Sequence, residues 1–232
     1  MTTRPALSLF CAVALKGALK DSILPAFSQD TGTAVNAHFA PTSSLIQEIT
    51  AGADPDVIIG ITASLTAPGT VATIDAGTLT PLAQTGIGIA VAPDVEIPDV
   101  STVSKLTKAL TAARSVAYSR NGPSGIYFAR LLQDLGIAEE VNGNATIIDQ
   151  GFTAAALLDG RADLAIQQMS ELMFVPEAQI AGPLPADVQQ YTPFSAAVSA
   201  QTRNRPGSAS LLMFLGSKLA RAAYRDAGLE PS

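Results

Sequence analysis

Residues 117–130 read AYSRNGPSGIYFAR, and the change of character inside this stretch decides the fold class. Residues 115–119 form a short run of strand-forming character, and Asn121, Gly122 and Pro123 then make a turn. Ser124 occupies the place of a helix N-cap. Apolar residues recur at Ile126, Tyr127, Leu131 and Leu135 before Gly136, the spacing of an amphipathic helix with a glycine stop. A strand that feeds a helix this way aims the free N–H groups and partial positive charge of the helix start out of the strand's carboxyl end, where they can hold an anion. One such junction is ordinary in any strand-helix unit. Repetition gives it weight, and three more junctions of the same kind follow.

On the N-terminal side, residues 6–10 read as a buried strand and 15–27 as a helix, joined through the small Cys11, Ala12, Val13 and Ala14. Residues 33–39 are a second strand, after which Pro41, Thr42, Ser43 and Ser44 open a helix that stops at Gly52. Residues 57–61 are almost wholly apolar, as expected of a strand covered on both faces. Residues 66–82 show no sustained helical period and read as loops with a short surface element. Residues 85–92, TGIGIAVA, read as one strand crossing between two lobes, and a helix opens at Ser101.

On the C-terminal side, residues 145–149 are a strand, and Gly151, Phe152 and Thr153 open a short helix over 154–158. Residues 164–168 are a strand whose end presents Gln167, Gln168, Ser170 and Glu171. Residues 190–200 read as a second crossing strand, and 208–225 as a closing helix. Helix starts therefore follow strands near residues 14, 43, 124 and 153. The expected fold is α/β with two lobes, 1–84 plus 195–232 and 85–194, each a mostly parallel sheet flanked by helices, with a cleft between them.

Composition narrows the function. The 232 residues are 47% hydrophobic and 15% charged, enough to bury a substantial core. A net charge of −6 with 14 scattered basic residues argues against a nucleic-acid partner. A local anion site remains compatible with an acidic body, because backbone dipoles dominate at contact distance. No apolar run reaches the roughly 18 residues that span a bilayer. Residues 7–15 are apolar and follow Arg4, which resembles a leader, but the run is short, Lys16 interrupts it, and no small-x-small cleavage site is followed by a fresh first strand. The expected chain is thus mature: periplasmic if a leader was removed, otherwise cytoplasmic. One cysteine, Cys11, excludes an internal disulfide. No metal-ligand spacing or nucleotide fingerprint is present, and no cofactor is expected.

With these residues laid out, the chain resembles the type II periplasmic binding proteins of the molybdate-binding-protein-like group. The resemblance rests on FCAVALKGAL (10–19), FAPTSSLIQEITAGADPDVII (39–59), GIGIAV (86–91), PSGIYFARLLQDLGI (123–137) and DGRADLAIQQMSEL (159–172). It implies a small anion, an oxyanion or organic carboxylate, held in the interlobe cleft by helix-start N–H groups and hydroxyls. It also implies an ABC-type transporter permease as partner. Carried over by position, the ligand residues fall on Val13, Ala14, Thr42, Ser43, Ser124, Gly125, Phe152, Thr153 and Gln168. The serine of the molybdate pattern is Ala14 here and its tyrosine is Gln168, which favours an organic acid, with Lys16, Arg120 or Gln168 as new contacts.

The group also includes aconitate isomerase-like members, which implies an alternative: an enzyme that shifts a double bond in a small polycarboxylic acid. Such a reaction needs a base at an acidic C–H and positive dipoles on the carboxylates. Glu171, Tyr118 and the single His38 are the candidate bases. Glu171 has a plain structural alternative as a cap and His38 as one residue on a strand face; Cys11, at a helix entry with no His or Asp nearby in sequence, reads as a packed core thiol.

Overall fold

Uninterrupted runs of Leu, Ile, Val and Ala become central strands when helices cover both faces of a parallel sheet. The computed structural model describes residues 5–232, so that Arg4 of the leader-like reading lies outside the described residues. The chain begins with β1 (Leu7–Ala12), a helical run that includes α1 (Lys16–Ala18) and α2 (Leu24–Thr31), then β2 (Val35–Ala40) and α3 (Thr42–Thr50). It continues through β3 (Val57–Ile61), α4 (Thr62–Leu65), β4 (Thr80–Thr85), β5 (Ile87–Val91), α5 (Val103–Ala112), β6 (Val116–Ser119) and α6 (Pro123–Asp134). Next come α7 (Ala138–Asn142), β7 (Thr146–Ile148), α8 (Ala155–Leu158), β8 (Leu164–Gln168), α9 (Met169–Leu172) and β9 (Gln179–Pro183). The chain closes with β10 (Thr192–Val198), α10 (Arg205–Leu215), α11 (Lys218–Asp226) and β11 (Glu230–Pro231).

Two units result: the chain up to Gln84 together with Pro193–Ser232, and Thr85–Thr192. The first unit holds a sheet in the order β11-β4-β10-β3-β1-β2, the second a sheet in the order β7-β6-β8-β5-β9. The α/β class read from the sequence is the class observed. Both sheets contain the same four-strand arrangement. In each, three parallel strands have the first in the middle (β2-β1-β3 and β7-β6-β8), and an antiparallel strand, β10 or β5, lies beside the third. Parallel strands end at one edge, so within each unit the helix starts gather at that edge, the place where open α/β sheets bind ligands.

The first core is built from Leu7, Leu9 and Val57 of the sheet against Leu15, Leu19, Ile23, Phe27 and Tyr224 of the helices. The second sheet packs on both faces: Ile89, Tyr118 and Ile166 meet Leu106, Phe128 and Leu132 on one side, and Ala90, Ala117 and Ala165 meet Ala156, Leu157 and Leu172 on the other. Side chains of this size contribute roughly 1.5–3 kcal/mol each when buried, so the alternation along the strands fixes the register.

The structure corrects several boundaries. The first helical run starts at Val13 as a 3-10 turn and widens to a π turn over Leu19–Ile23, because Pro25 has no N–H to return to Asp21. Residues 85–92 are not one strand: Gly86 separates β4 from β5. The loop assigned over 66–82 contains α4's exit, two 3-10 turns and the start of β4, whose Pro81 hides the strand pattern. β9 has no counterpart in the sequence reading. The closing helix is two helices, because the Ser217 hydroxyl accepts from Ala220 N and starts α11 afresh.

Candidate functional site

In the second unit, Ser119 ends β6 and its Oγ accepts from Gly122 N at 3.0 Å, closing the turn. Helix α6 then starts two residues earlier than the sequence suggested, with Gly122 as N-cap and Pro123 in the first helical position. Ser124 is therefore inside the helix rather than at its cap. The helical ladder opens with Ile126 N on Gly122 O at 3.0 Å, which leaves the N–H groups of Ser124 and Gly125 without an intrahelical acceptor. The Ser124 side chain is 3% exposed and makes no capping bond.

The first unit repeats the pattern. Thr42 and Ser43 are the first two residues of α3, and the ladder opens with Leu45 N on Pro41 O. Thr42 is buried, and its Oγ1 accepts from Ile61 N at 3.2 Å, so its own hydrogen is left to donate. Ser43 is exposed. Val13 and Ala14 open the helical run after β1 with no side-chain cap. Lys16 follows them and lines, with Lys20, Leu24, Val35 and Phe39, an open depression of about 560 Å³ on this unit. Sequence reasoning missed Thr62, which starts α4 after β3 and pairs its hydroxyl with Ser195 at 2.8 Å.

The remaining predicted residues separate into two groups. Thr153 is fully buried, and both of its donors go to Gln167: N to Oε1 at 2.8 Å and Oγ1 to Oε1 at 3.0 Å. In this structure Thr153 thus supports Gln167 and has no donor to spare. Phe152 stacks on Phe174 with ring centroids 4.8 Å apart. Gln168 is 3% exposed, sits at the N-cap of α9 and forms no capping bond. Glu171 is partly buried beside Gln167, and burial pushes its carboxyl up to about 7 although the Gln167 hydrogen bond favours the charged form. Among the described residues, Ser170 Oγ is buried with no hydrogen-bond partner. Ser124, Gly125, Phe152, Thr153 and Glu171 thus follow the ends of three neighbouring strands of one sheet, and Gln168 is the last residue of one of them.

His38 and Arg120 lie elsewhere in character. His38 is on the edge strand β2, half-exposed, with Nε2 3.1 Å from Glu48 Oε2 and its ring edge-on to Phe10. It belongs to the first unit and Glu171 to the second. Arg120 donates through Nε to Asp149 Oδ1 at 2.5 Å in an exposed pair. Tyr118 donates its hydroxyl to Asn142 Oδ1 at 2.6 Å, and burial raises its pKa, so it serves packing. Gln167 and Ser170 carry no role in the sequence reading; two glutamines closing an otherwise apolar strand are the signal that points to the first of them. Among the described residues no three His, Cys, Asp or Glu side chains group to hold a metal, and no helix is long and apolar enough to cross a membrane.

Comparison with known proteins agrees with this architecture. Aconitate isomerase of Pseudomonas sp. is 29% identical over 231 residues, covering 97% of this chain and 87% of that protein. The periplasmic molybdate-binding protein of Azotobacter vinelandii superposes with a TM-score of 0.76 at 18% identity, over 96% of this chain and 98% of that one. The tungstate-binding protein of Desulfovibrio alaskensis gives 0.68 at 15% identity, over 99% of both chains. At such identities the structural likeness carries the fold and leaves the ligand open. The model of the bacterial extracellular solute-binding proteins matches residues 7–230, nearly the whole chain, and it is to this family that the chain belongs.

Proposed function

We propose that the chain binds a small anion, an organic carboxylate or an oxyanion, and serves outside the cytoplasmic membrane as the substrate-binding protein of an ABC-type transporter. The observation that carries this reading is Ser124: a residue 3% exposed whose hydroxyl makes no capping bond, beside two helix-start N–H groups that have no intrahelical acceptor. Such donors stabilise negative charge through hydrogen bonds and the helix dipole together. Thr42 offers the same chemistry in the first unit, since its oxygen is already satisfied and its hydrogen is not. Val13, Ala14 and Ser43 add backbone donors, and Gln168 adds an amide where the molybdate pattern has tyrosine. Thermal-shift titration with molybdate, sulfate, citrate and trans-aconitate tests the reading. A midpoint raised by one of these anions, and no longer raised in Ser124→Ala, supports it; no shift with any of them rejects it.

A second reading, an isomerase that shifts the double bond of a small polycarboxylic acid, is favoured by Glu171. A carboxyl that titrates near 7 is matched to general-base work at neutral pH. The base would take a proton from the carbon next to a carboxylate, the double bond would move one position, and the proton would return at the far carbon, so that atoms and charge balance. The 29% identity to aconitate isomerase supports the choice of substrate class. Proton NMR of trans-aconitate with catalytic protein in deuterated water decides between the readings. An isomer or deuterium incorporation means an enzyme, and an unchanged spectrum of a bound ligand means a receptor.

A further inference from the structure

The sheet of the first unit ends on one side at β2, which among the described residues pairs with β1 and with no other strand. In this parallel ladder Leu7 N donates to Ala34 O at 2.9 Å, and the register then turns the N–H and C=O groups of Asn36 and His38 toward β1. Those of Val35, Ala37 and Phe39 point the opposite way, out of the open edge. The register runs unbroken from Val35 to Ala40, with neither a proline nor a bulge inside the strand. Native edge strands usually carry such a device, because an open row of donors and acceptors is a template for another strand.

The same three residues floor the depression of about 560 Å³ beside the helical run. Their side chains are half-buried against the first core, which leaves an apolar strip along the open ladder. Leu24 and Pro25 form part of the wall, next to the π turn that Pro25 imposes. Lys16 and Lys20 complete it, whereas Asp21 and Asp30 of the same run do not line it, so the groove carries two ammonium groups and no carboxylate. The run leaves β1 at Val13 and returns antiparallel to the strands before β2, which sets the two lysines toward the Phe39 end and Ser28 toward the Val35 end. One end of the groove is therefore basic and the other apolar, with open backbone along its side.

We propose that β2 is a docking edge for an extended segment of another protein, added antiparallel to β2, with an acidic side chain near its start and aliphatic side chains two and four positions later. Main-chain bonds to Val35, Ala37 and Phe39 supply the affinity of such an added strand, and its alternate side chains supply the choice of partner. Antiparallel addition brings the acidic residue to the lysines and the aliphatic residues over Leu24 and Val35. A second copy of this chain fits less well. Its β2 has no carboxylate to offer the lysines, and a net charge of −6 on each copy opposes self-association. The surface lies wholly within the first unit, so the proposal stands apart from the anion-binding reading.

The experiment is amide NMR of the nitrogen-15-labelled full chain. Without any partner, the amides of Val35, Ala37 and Phe39 are expected to exchange with solvent quickly and those of Asn36 and His38 slowly; protection of all five would show that the edge is already covered and overturns the proposal. The probe is the acetylated, amidated peptide TETVTVT, whose glutamate and two valines share one face of a strand. It is expected to shift and protect Val35, Ala37 and Phe39, to bind about fivefold more weakly to Lys20→Glu, and to lose affinity as salt is raised. The same peptide N-methylated at alternate residues, on the donors that would face β2, is expected not to bind. Absence of shifts at these residues up to about 5 mM peptide overturns the proposal, as does binding that N-methylation leaves intact. Sedimentation of the chain alone as a dimer that the β2-edge variant Ala37→Pro makes monomeric would give the edge to a second copy and overturn it as well.

Discussion

A methyl group placed on Gly125 would lie 1.7 Å from the carbonyl oxygen of Ser119. No real Cβ makes such a contact, and the obstructing atom is backbone, so side-chain rotation offers no relief. Helix α6 can approach the end of β6 this closely only because residue 125 has no side chain. Gly125→Ala is expected to push the helix start away from the strand and to cost more than about 2 kcal/mol, the range of overpacked sites. Urea unfolding of the variant checks the cost, and the same variant should lose anion affinity along with the donor geometry.

Ser124 and Thr42 have similar proposed roles and different structural duties, which separates their variants. Ser124→Ala removes a hydroxyl with no capping bond, so stability should stay within about 0.5 kcal/mol while anion affinity falls by the worth of one hydrogen bond, about 0.5–1.5 kcal/mol. Thr42→Val keeps the methyl group that sits over Gly60 but strips the acceptor from Ile61 N. It should lower stability by about 1–2 kcal/mol as well as affinity. Equilibrium unfolding paired with calorimetry on both variants tests the contrast.

Much of the fold was legible because its determinants are local. The apolar run at residues 57–61 and the periodicity of residues 126–135 dictate a strand and a helix wherever they are placed. What sequence could not supply was pairing between distant segments. Gly86 looks like a glycine within one strand until Met169 N is seen to take its carbonyl, which ends β5's predecessor and starts α9 together. Pro81 disguised β4, because a proline removes a ladder donor and is tolerated only where the strand does not need it. Thr153 shows the same limit within the candidate site. Its hydroxyl looked available for a ligand, yet Gln167, fourteen residues away, claims both of its donors. Ser170 and Gln167 drew no assignment because a buried polar residue is recognisable only once burial is known.

Cys11 lies on β1 with no exposed surface, and its thiol donates to Ala12 O at 3.3 Å. Burial raises its pKa well above the ordinary thiol range, since the thiolate would have neither water nor a cation beside it. The native protein should therefore be inert to a thiol reagent such as dithiobisnitrobenzoate at pH 8, and should react with one equivalent in denaturant. Fast reaction of the folded protein would show that β1 opens readily. Cys11→Ala should cost stability through the lost core volume rather than through lost chemistry.

Glu171 also sets a pH dependence of stability that needs no ligand. Its carboxyl titrates at about 7 in the folded chain against a reference of 4.5. The folded state therefore holds the proton more tightly than the unfolded state, so over that interval the native protein carries more protons and stability falls as pH rises. The contribution is fully present below pH 4.5 and is lost by the time pH exceeds 7. Replacing Glu171 with Gln removes the charge and keeps a group able to meet Gln167. The variant should match wild type near pH 4.5 and be more stable at pH 8 by about 1–3 kcal/mol. Urea midpoints measured from pH 4.5 to pH 8.5 test this, and parallel curves for the two proteins would show that Glu171 is hydrated in the native state. A carboxyl kept at a cost to stability is the pattern of a group retained for what it does to a ligand, which is why a measured difference would strengthen its place at the proposed site.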